Sequence, residues 1–324
     1  MASFNLTRRG LLAAPLLLSA QEAPAQAWPA RAITLVVPWA PGGVTDIVGR
    51  LLAEHLAPLL GASVTVENRP GAAGTIGHAY VARARPDGAT ILLGSNSTYA
   101  IAPLLYDNLG YDDRALAPVG KVALNAQFLC VPRASRARNV AELLADARAR
   151  PGGMTYATAG AGSTAHLAGA QLSASANVEM IAVPYRGGAP AVQALVTREV
   201  DFSFAEAVAA LPLMFSGDIR ALAVTTAGRE PRAPEVPTMM EAGIANYTSS
   251  TDLALFTPAG LSPELIRRLT EATHQVLRMP AVLQRFASLA IQPVLGNPED
   301  FVREVAAERA KWRVIIERFN IRLS

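Results

Sequence analysis

The fold is decided by the stretch Ile33-Thr34-Leu35-Val36-Val37-Pro38-Trp39-Ala40-Pro41-Gly42-Gly43-Val44-Thr45-Asp46. Its first five residues have the apolar character of a buried strand, which Pro38 ends, and Pro41-Gly42-Gly43 supplies a turn. After the turn, apolar residues recur at the spacing of an amphipathic helix: Val44, Ile47, Val48, Leu51, Leu52, Leu56 and Leu59. The stretch therefore predicts a strand, a glycine turn and a helix in succession.

The same order of strand, glycine turn and helix recurs further along the chain. Gly160-Ala161-Gly162-Ser163-Thr164 and Tyr185-Arg186-Gly187-Gly188 each follow a short apolar run and open a helical pattern. The strand Thr90-Ile91-Leu92-Leu93 is followed by an expected loop, Gly94-Ser95-Asn96-Ser97. Strands that alternate with helices predict an α/β protein with parallel, mostly buried sheets and helices on both faces. At 324 residues the chain is long enough for two domains.

The glycine turns also predict a chemistry. A helix N-terminus offers free backbone N–H groups and about half a positive charge. Two such ends at one cleft can bind an anion without a buried lysine. Ordinary helix capping remains the alternative for any single turn, but three turns in one chain favour an anion site.

Composition excludes several classes of protein. The chain has 29 Lys and Arg against 26 Asp and Glu, and its only lysines are Lys121 and Lys311. The arginines form no long basic stripe with interleaved aromatic residues, which argues against a nucleic-acid surface. Cys130 is the single cysteine, so an intramolecular disulfide and a cysteine-rich metal site are excluded. Cys130 lies in the apolar run Phe128-Leu129-Cys130-Val131, which predicts a buried strand and an inert thiol.

The N-terminus has the pattern of an export signal. Arg8 and Arg9 precede an apolar run from Leu11 to Ala20, and Ala25-Gln26-Ala27 is a small-x-small cleavage site. Residues 1–27 are therefore predicted to be a signal peptide that is cleaved after Ala27 and directs the protein to the periplasm. The paired arginines fit a twin-arginine signal or an ordinary secretory signal, and an uncleaved anchor is the remaining alternative.

The sequence contains none of three common enzyme motifs with the residue spacing that each requires. The chain has no P-loop, no G-x-G-x-x-G placed after a strand with a suitable acid, and no G-x-S-x-G elbow. Ser163 and His166 are three residues apart and could share a helix face, which leaves a hydrolase as an alternative without an orienting acid. The four histidines, His55, His78, His166 and His274, are scattered, so a metal site is not expected.

Six sequence boxes, taken together and in order, resemble the Bug family, the periplasmic solute-binding proteins of tripartite tricarboxylate transporters. The resemblance runs from about Ile33 to Phe319. The boxes are Ile33 to Asp46, Val66-Glu67-Asn68-Arg69-Pro70-Gly71-Ala72-Ala73-Gly74, Arg85-Pro86-Asp87-Gly88, Val183-Pro184-Tyr185-Arg186-Gly187-Gly188-Ala189-Pro190-Ala191, Ala221-Leu222-Ala223-Val224-Thr225, and Val236-Pro237-Thr238-Met239-Met240-Glu241-Ala242-Gly243.

The resemblance implies a two-domain Venus-flytrap α/β fold, type II-like, in which each lobe has a mixed, mostly parallel sheet flanked by helices. One lobe would comprise residues 28–125 plus 252–324 and the other residues 126–251, with the ligand cleft between them. A ligand carboxylate would lie on opposing helix N-termini, between the loop 38–46 and the loop 160–166. Trp39 would form a wall, Ser95 and Asn96 the floor, and Tyr185 to Gly187 the far rim. The ligand-binding residues expected on this basis are Trp39, Ala40, Gly42, Gly43, Thr45, Asp46, Ser95, Asn96, Gly160, Gly162, Ser163, Thr164, His166, Tyr185, Arg186, Gly187 and Glu206.

The chain also departs from the family pattern at three places near the expected site. Ala205-Glu206 stands where the family usually has an Asp-Asn pair. Thr251-Asp252-Leu253-Ala254-Leu255 stands where a Trp-containing segment is frequent, and the loop Gly160 to Ser163 lacks a frequent asparagine. These departures affect the expected identity of the ligand more than the expectation that it carries a carboxylate.

The resemblance implies a binding protein rather than an enzyme, with no cofactor and no metal. Its ligand would be a small carboxylate, whether a di- or tricarboxylate, an amino acid or an aromatic acid. Its partners would be the small and large integral-membrane subunits of the transporter, and it is expected to be a monomer that binds no nucleic acid. A ligand-sensing subunit that docks on a sensor kinase ectodomain is the alternative, and a periplasmic hydrolase that uses Ser163 and His166 is a remote one.

Overall fold

Helices and strands alternate along the chain, which confirms the predicted α/β class. The computed structural model describes residue 28 and residues 32–150, 152–319 and 321–322. The predicted signal peptide and its cleavage site lie outside the described residues. Among the helices that are described, none has both the length and the apolar character needed to cross a membrane.

The strands of the described chain are numbered in order. They are β1 (Ala32–Val37), β2 (Ser63–Asn68), β3 (Thr90–Ser95), β4 (Leu116–Pro132), β5 (Met154–Thr158), β6 (Met180–Pro184), β7 (Phe202–Glu206), β8 (Ile219–Val224), β9 (Ser250–Pro258) and β10 (Ile291–Pro293).

The α-helices are numbered in the same way. They are α1 (Val44–Leu60), α2 (Thr75–Ala82), α3 (Ala102–Leu105), α4 (Val140–Ala149), α5 (Thr164–Ala176), α6 (Gly188–Val196), α7 (Ala207–Ser216), α8 (Pro263–Leu277), α9 (Pro280–Ser288) and α10 (Pro298–Arg318). Short 3-10 turns cover Ala72–Gly74 and Asp113–Ala115, and a π-helical turn covers Ser97–Ile101.

The opening stretch folds as its pattern predicts. β1 buries Leu35, Val36 and Val37 completely. The backbone is extended at Gly43, and α1 begins at the next residue. Val48, Leu52 and Leu56 turn the apolar face of α1 toward the sheet, and full burial of each such side chain stabilises the fold by roughly 1.5–3 kcal/mol. The helix ends at Gly61, whose φ of 70° lies in the left-handed region that favours glycine.

The strands form one mixed sheet in the order β2-β1-β3-β9-β4-β7-β5-β6, with β8 and β10 also paired to β4. Four pairings are parallel: β1 with β2 and β3, and β5 with β6 and β7. The five pairings that involve β4 or β9 are antiparallel. The sheet is therefore mixed, as expected, but it has fewer parallel pairings than the alternation of strands and helices suggested, because two long strands of opposite direction run through its centre.

β4 divides the sheet into two halves. Residues 116–126 of β4 pair with β9, whereas the part from Gln127 onward pairs with β7 and β8. We call β1, β2, β3, β9, β10 and residues 116–126 of β4 the first sheet half, and β5 to β8 with residues 127–132 of β4 the second sheet half. Cys130 lies in the second half, fully buried as predicted, and burial raises the pKa of its thiol.

Each sheet half has its own hydrophobic core. Leu35, Leu52 and Leu255 belong to the core of the first half. Tyr156 and Phe204 belong to a core of the second half. Two cores joined through β4 and β9 agree with a two-domain chain. The boundaries of the lobes, residues 28–125 plus 252–324 and residues 126–251, stay a prediction.

The prediction of a loop that begins at Gly94, after the third strand, is wrong. β3 continues through Gly94 and Ser95, because these residues pair with Ala254 and Leu253 of β9. The chain then passes directly into the π-helical turn Ser97–Ile101. The partner strand lies about 160 residues away in sequence, so local sequence patterns do not reveal it.

Candidate ligand-binding cleft

A cleft lies where the two sheet halves meet, and it contains about 600 Å³ of space outside the protein atoms, its open mouth included. The loops that follow β1, β3, β5 and β6 reach it, which is the usual place for a ligand at the carboxyl ends of strands in an α/β sheet. Its lining residues are Trp39, Ala40, Pro41, Gly43, Val44, Thr45, Ser95, Ser97, Ala159, Ser163, Thr164, Arg186, Gly187, Gly188, Ala189, Pro190, Glu206 and Thr251.

Two helices begin at the cleft directly after a glycine, and a third, α7, begins there after Glu206; none of the three has a side-chain cap. Gly43 precedes α1 and Gly187 precedes α6, and neither can supply a capping side chain. Gly187 has a φ of 114°, a conformation that favours glycine. Backbone N–H groups in the first turns of α1 and α6 are therefore left for a ligand, and each helix end adds a partial positive charge. This arrangement suits an anion.

Asp46 supports the first of these loops from behind and does not line the cleft. Its carboxylate accepts hydrogen bonds from the backbone N–H of Gly42 at 3.0 Å, from Asn68 Nδ2 at 2.9 Å and from Arg50 Nε at 3.0 Å. Burial raises the pKa of the Asp46 carboxyl, but these donors outweigh burial and hold its pKa below the ordinary value. Asp46 thus positions the start of α1.

Trp39 lies along one wall of the cleft. Its indole Nε1 donates to Ser95 Oγ at 3.1 Å, and its carbonyl accepts from Asn68 Nδ2 at 3.0 Å. Ser95 is buried at the base of the wall, and Ala40 is exposed beside it at the mouth. The indole is therefore fixed at one edge while its face remains available to a ligand.

The loop before α5 closes the cleft from the second sheet half. Ser163 caps the helix, since its Oγ accepts from the backbone N–H of His166 at 3.3 Å. The N–H of Thr164 donates to Ser97 Oγ at 3.1 Å, which joins the start of α5 to the first sheet half. Gly160 and Gly162 have φ values of 130° and 79°, so they shape this loop and lie behind its lining residues.

The geometry of this loop does not make Ser163 a nucleophile activated by His166. The Ser163 hydroxyl bonds the backbone of His166 rather than its ring, because a helix N-cap accepts from the third residue of the helix. The ring Nδ1 accepts from the N–H of Gly162 at 3.1 Å, and burial lowers the pKa of the ring. In the described residues these two side chains form no hydrogen bond with each other, so the hydrolase alternative lacks the pair on which it depended.

A chain of hydrogen bonds crosses the base of the cleft and ends at Glu206. Gln127 Nε2 donates to Thr164 Oγ1 at 3.0 Å, and Thr164 Oγ1 lies 3.0 Å from Thr251 Oγ1. Thr251 Oγ1 in turn donates to Glu206 Oε1 at 3.0 Å. Gln127, Thr164 and Thr251 are all buried.

Glu206 and Arg186 are the charged side chains that line the cleft in the described part of the chain. Burial raises the pKa of the Glu206 carboxyl, and the hydrogen bond from Thr251 acts in the opposite direction. Arg186 is exposed on the rim. The described residues contain no group of acidic, histidine or cysteine side chains that could hold a metal ion.

Two expected ligand-binding side chains, Asn96 and Tyr185, point elsewhere. Asn96 Nδ2 donates to the carbonyl of Ser250 at 3.0 Å and to Glu308 Oε1 at 3.2 Å, and the Tyr185 hydroxyl donates to Glu199 Oε2 at 3.3 Å. In each case a neighbouring residue in the sequence, Ser95 or Arg186, lines the cleft instead. Asn96 follows the last residue of β3 and already has a helical backbone (φ −59°, ψ −24°), so its hydrogen-bond partners, and not strand alternation, set the direction of its side chain.

The structure therefore separates the expected residues into two groups. Those that line the cleft are Trp39, Ala40, Gly43, Thr45, Ser95, Ser163, Thr164, Arg186, Gly187 and Glu206. Those that lie behind or beside it are Gly42, Asp46, Asn96, Gly160, Gly162, His166 and Tyr185.

Sequence reasoning missed Ser97, Gln127 and Thr251. Ser97 lies two residues after Ser95, in the segment that follows β3. The expectation that Ser95 lies at the cleft could therefore have been widened to include Ser97. Gln127 and Thr251 lie in the two central strands, where the partner residues are far apart in sequence. No local signal points to Gln127, whereas Thr251 begins one of the segments that depart from the family pattern near the expected site.

Comparison with known proteins agrees with this architecture. The family model described as "Tripartite tricarboxylate transporter family receptor" matches residues 48–321. A Pseudomonas sp. (strain P51) protein, "UPF0065 protein in tcbD-tcbE intergenic region", is 36% identical over 98% of this chain and 96% of its own length. The Bordetella pertussis protein BugT is 34% identical over 92% of each chain.

Solved structures share the fold across nearly the whole chain. "R. palustris Rpa4515 with adipate" is 34% identical, with a TM-score of 0.85 over 90% of this chain and 97% of that chain. "MatC (Rpa3494) from Rhodopseudomonas palustris with bound malate" is 30% identical, with a TM-score of 0.82 over 89% of this chain and 100% of that chain. The two-lobed α/β fold of periplasmic binding proteins is thus confirmed for this chain. The chain belongs to the tripartite tricarboxylate transporter receptor family, whose members include the Bug proteins.

Proposed function

We propose that this protein binds a small carboxylate in the cleft between its two sheet halves. The observation that supports this most directly is the pair of uncapped helix starts, α1 after Gly43 and α6 after Gly187, at one cleft. A carboxylate there would accept backbone hydrogen bonds and meet two partial positive charges. The adipate and malate in related structures are small carboxylates of the same kind.

The binding test is a thermal-shift panel of mono-, di- and tricarboxylates, amino acids and aromatic acids on the purified protein. A ligand at about 100 times its dissociation constant should stabilise the protein by roughly 2.7 kcal/mol. If no member of the panel raises the melting temperature, carboxylate binding is wrong.

A charge placed at Thr45 tests where the carboxylate binds. Thr45 is buried in the first turn of α1 and lines the cleft. Thr45→Asp would set a second carboxylate beside the proposed ligand carboxylate; two like charges about 4 Å apart near a protein surface repel by about 4 kcal/mol, or about 1000-fold in affinity. Thr45→Asn has nearly the same shape without the charge, so it should retain most of the binding. Equal affinity in both variants would place the ligand elsewhere.

The bound carboxylate would be delivered to the small and large membrane subunits of a tripartite tricarboxylate-type transporter. Membership of the receptor family supports this role. Cells that lack the protein should lose uptake of the ligand, and the wild-type gene should restore uptake where the Thr45→Asp gene does not. Unchanged uptake of a ligand that the purified protein does bind would refute the transport role.

The protein would work in the periplasm, after cleavage between Ala27 and Trp28. The packing of Trp28 supports this start of the mature chain: Arg268 lies over its indole ring at 5.2 Å and donates to its carbonyl at 2.8 Å. N-terminal sequencing of the protein from a periplasmic fraction should begin at Trp28. A different first residue, or recovery in the membrane fraction, would contradict the proposed processing.

A further inference from the structure

Glu206 puts a negative charge into a cleft whose helix ends favour an anion. It is the last residue of β7, immediately before α7, and its carboxyl reaches the cleft. Its Oε2 lies 3.7 Å from the position that a Cβ on Gly188 would take, close to the start of α6. No basic side chain of the described residues forms a salt bridge with it.

In the chain of hydrogen bonds that leads to Glu206, each group donates to the next group toward Glu206. Ser249 Oγ donates to Gln127 Oε1 at 3.0 Å, which leaves Gln127 Nε2 as the donor to Thr164. A hydroxyl has a single hydrogen, and that of Thr251 goes to Glu206, so the hydrogen between the two threonines comes from Thr164. Glu206 Oε1 is therefore the final acceptor of the chain. A bond donated to a carboxylate is roughly twice as strong as one to a neutral group, so this polarity favours the ionised form.

The other oxygen of Glu206 lacks a donor from the protein. Thr251 is the donor that reaches this carboxyl in the described part of the chain, and it reaches Oε1. Glu206 is half-buried in the ligand-free protein, so water reaches its carboxyl. A ligand that fills the cleft would displace this water, and a carboxylate without water needs an opposite charge or further donors. Arg186 is on the exposed rim and does not approach within salt-bridge distance. The missing partner would therefore come with the ligand.

We propose that Glu206 makes the cleft selective for carboxylates that also bear an ammonium group, as amino acids do. The ligand carboxylate would lie on the starts of α1 and α6, and its ammonium group would donate to Glu206. Plain carboxylates of the same length would leave Glu206 unpaired beside a second negative charge. The inference rests on the proposed function, because it assumes that a carboxylate binds in this cleft.

The test is isothermal titration of wild-type protein with ligand pairs that share a carbon skeleton. Succinate is compared with aspartate and glutarate with glutamate, and malate replaces the ammonium of aspartate by a hydroxyl. The amino member of at least one pair should bind about tenfold or more tightly than its plain partner. Glu206→Gln should weaken the amino member about 30-fold or more, as expected when one partner of a buried charge pair is removed, and should abolish the preference. Glu199→Gln changes an exposed glutamate outside the cleft and should leave affinities unchanged.

The possible results separate the two proposals. Plain dicarboxylates or malate that bind wild-type protein as tightly as the amino members would overturn the role of Glu206 while leaving carboxylate binding intact. A Glu206→Gln variant that keeps the amino preference would overturn it as well. If no carboxylate of either kind binds, the proposed function itself fails. The ranking on wild-type protein decides the matter even if the variant does not fold.

Discussion

Replacing Asp46 by asparagine should weaken both the fold and the ligand site. The variant keeps one acceptor oxygen, so it cannot accept from both Gly42 N and Asn68 Nδ2, which now lie 3.0 and 2.9 Å from the two carboxylate oxygens. Hydrogen bonds to a charged group contribute about 1.5–3 kcal/mol each, and the half-exposed Arg50 adds at most about 0.5 kcal/mol. We expect a loss of about 2–3 kcal/mol at pH 7.

This loss corresponds to a fall in melting temperature of about 3–5 °C for a protein of this size. Ligand affinity should fall about tenfold, because the loop that ends at Gly43 is no longer fixed to α1. The measurement is thermal unfolding of Asp46→Asn, followed by ligand titration below its melting temperature.

Asp201→Asn provides a matched control in the second sheet half, away from the cleft. Asp201 also accepts two bonds, from Thr155 N at 2.8 Å and from Thr155 Oγ1 at 3.0 Å, and it pairs with Arg150. Both Thr155 donors reach the same oxygen, Oδ2, so asparagine can keep them and loses the charge that they and Arg150 contact. Asp201→Asn should therefore lose stability, though less than Asp46→Asn, without loss of affinity. Equal loss of affinity in both variants, or no loss of stability in Asp46→Asn, would refute the positioning role.

The pH dependence of the same variant follows from the pKa of Asp46. Its donors hold the pKa of the folded protein below the ordinary value of 3.8. The stabilisation is therefore present above pH 3.8 and is lost as the pH falls through the lower, folded-state value. Urea unfolding should show the full difference between wild type and Asp46→Asn at pH 7 and pH 5, and a smaller one below about pH 4. A difference that does not change with pH would mean that the carboxylate charge is not responsible.

Two further changes test the site and the core. Burial raises the pKa of Glu206 above its ordinary value of 4.5, so its charge destabilises the ligand-free protein as the pH rises through the raised value. Glu206→Gln should accordingly melt higher than wild type at pH 8 and at the same temperature at pH 4, and equal melting at both pH values would contradict this. In the core, a Cβ on Gly169 would lie 2.1 Å from Tyr156 Cε2, so Gly169→Ala should cost about 1–3 kcal/mol in urea unfolding despite its better helix propensity. Gly228→Ala, with no atom within 4 Å, is the control, and an equal effect in both would show that the contact does not matter.

Local patterns in the sequence are sufficient to predict the elements whose determining residues lie within a few positions of one another. The strand, turn and helix from Ile33 to Leu60 were predictable because Pro38, Gly43 and the apolar spacing act within a few residues of one another. The central strands were not predictable in the same way. Their neighbours are set by pairings such as Leu116 with Pro258, which no period in the sequence records. Another long-range pairing, that of Gly94 with Ala254, makes strand of a segment that was expected to be a loop.

Within the site, the two kinds of group differ in how far the sequence reveals them. The proposed anion site uses backbone at helix starts, and Gly43 and Gly187 mark two of those starts in the sequence. Selectivity depends on side chains from separate segments, and the direction of each is set by its tertiary partners. Glu206 faces the cleft and bonds Thr251, whereas Asn96 turns away to bond Ser250 and Glu308. Family membership can therefore be inferred from local boxes, but the ligand has to be inferred from contacts between residues that only the fold brings together.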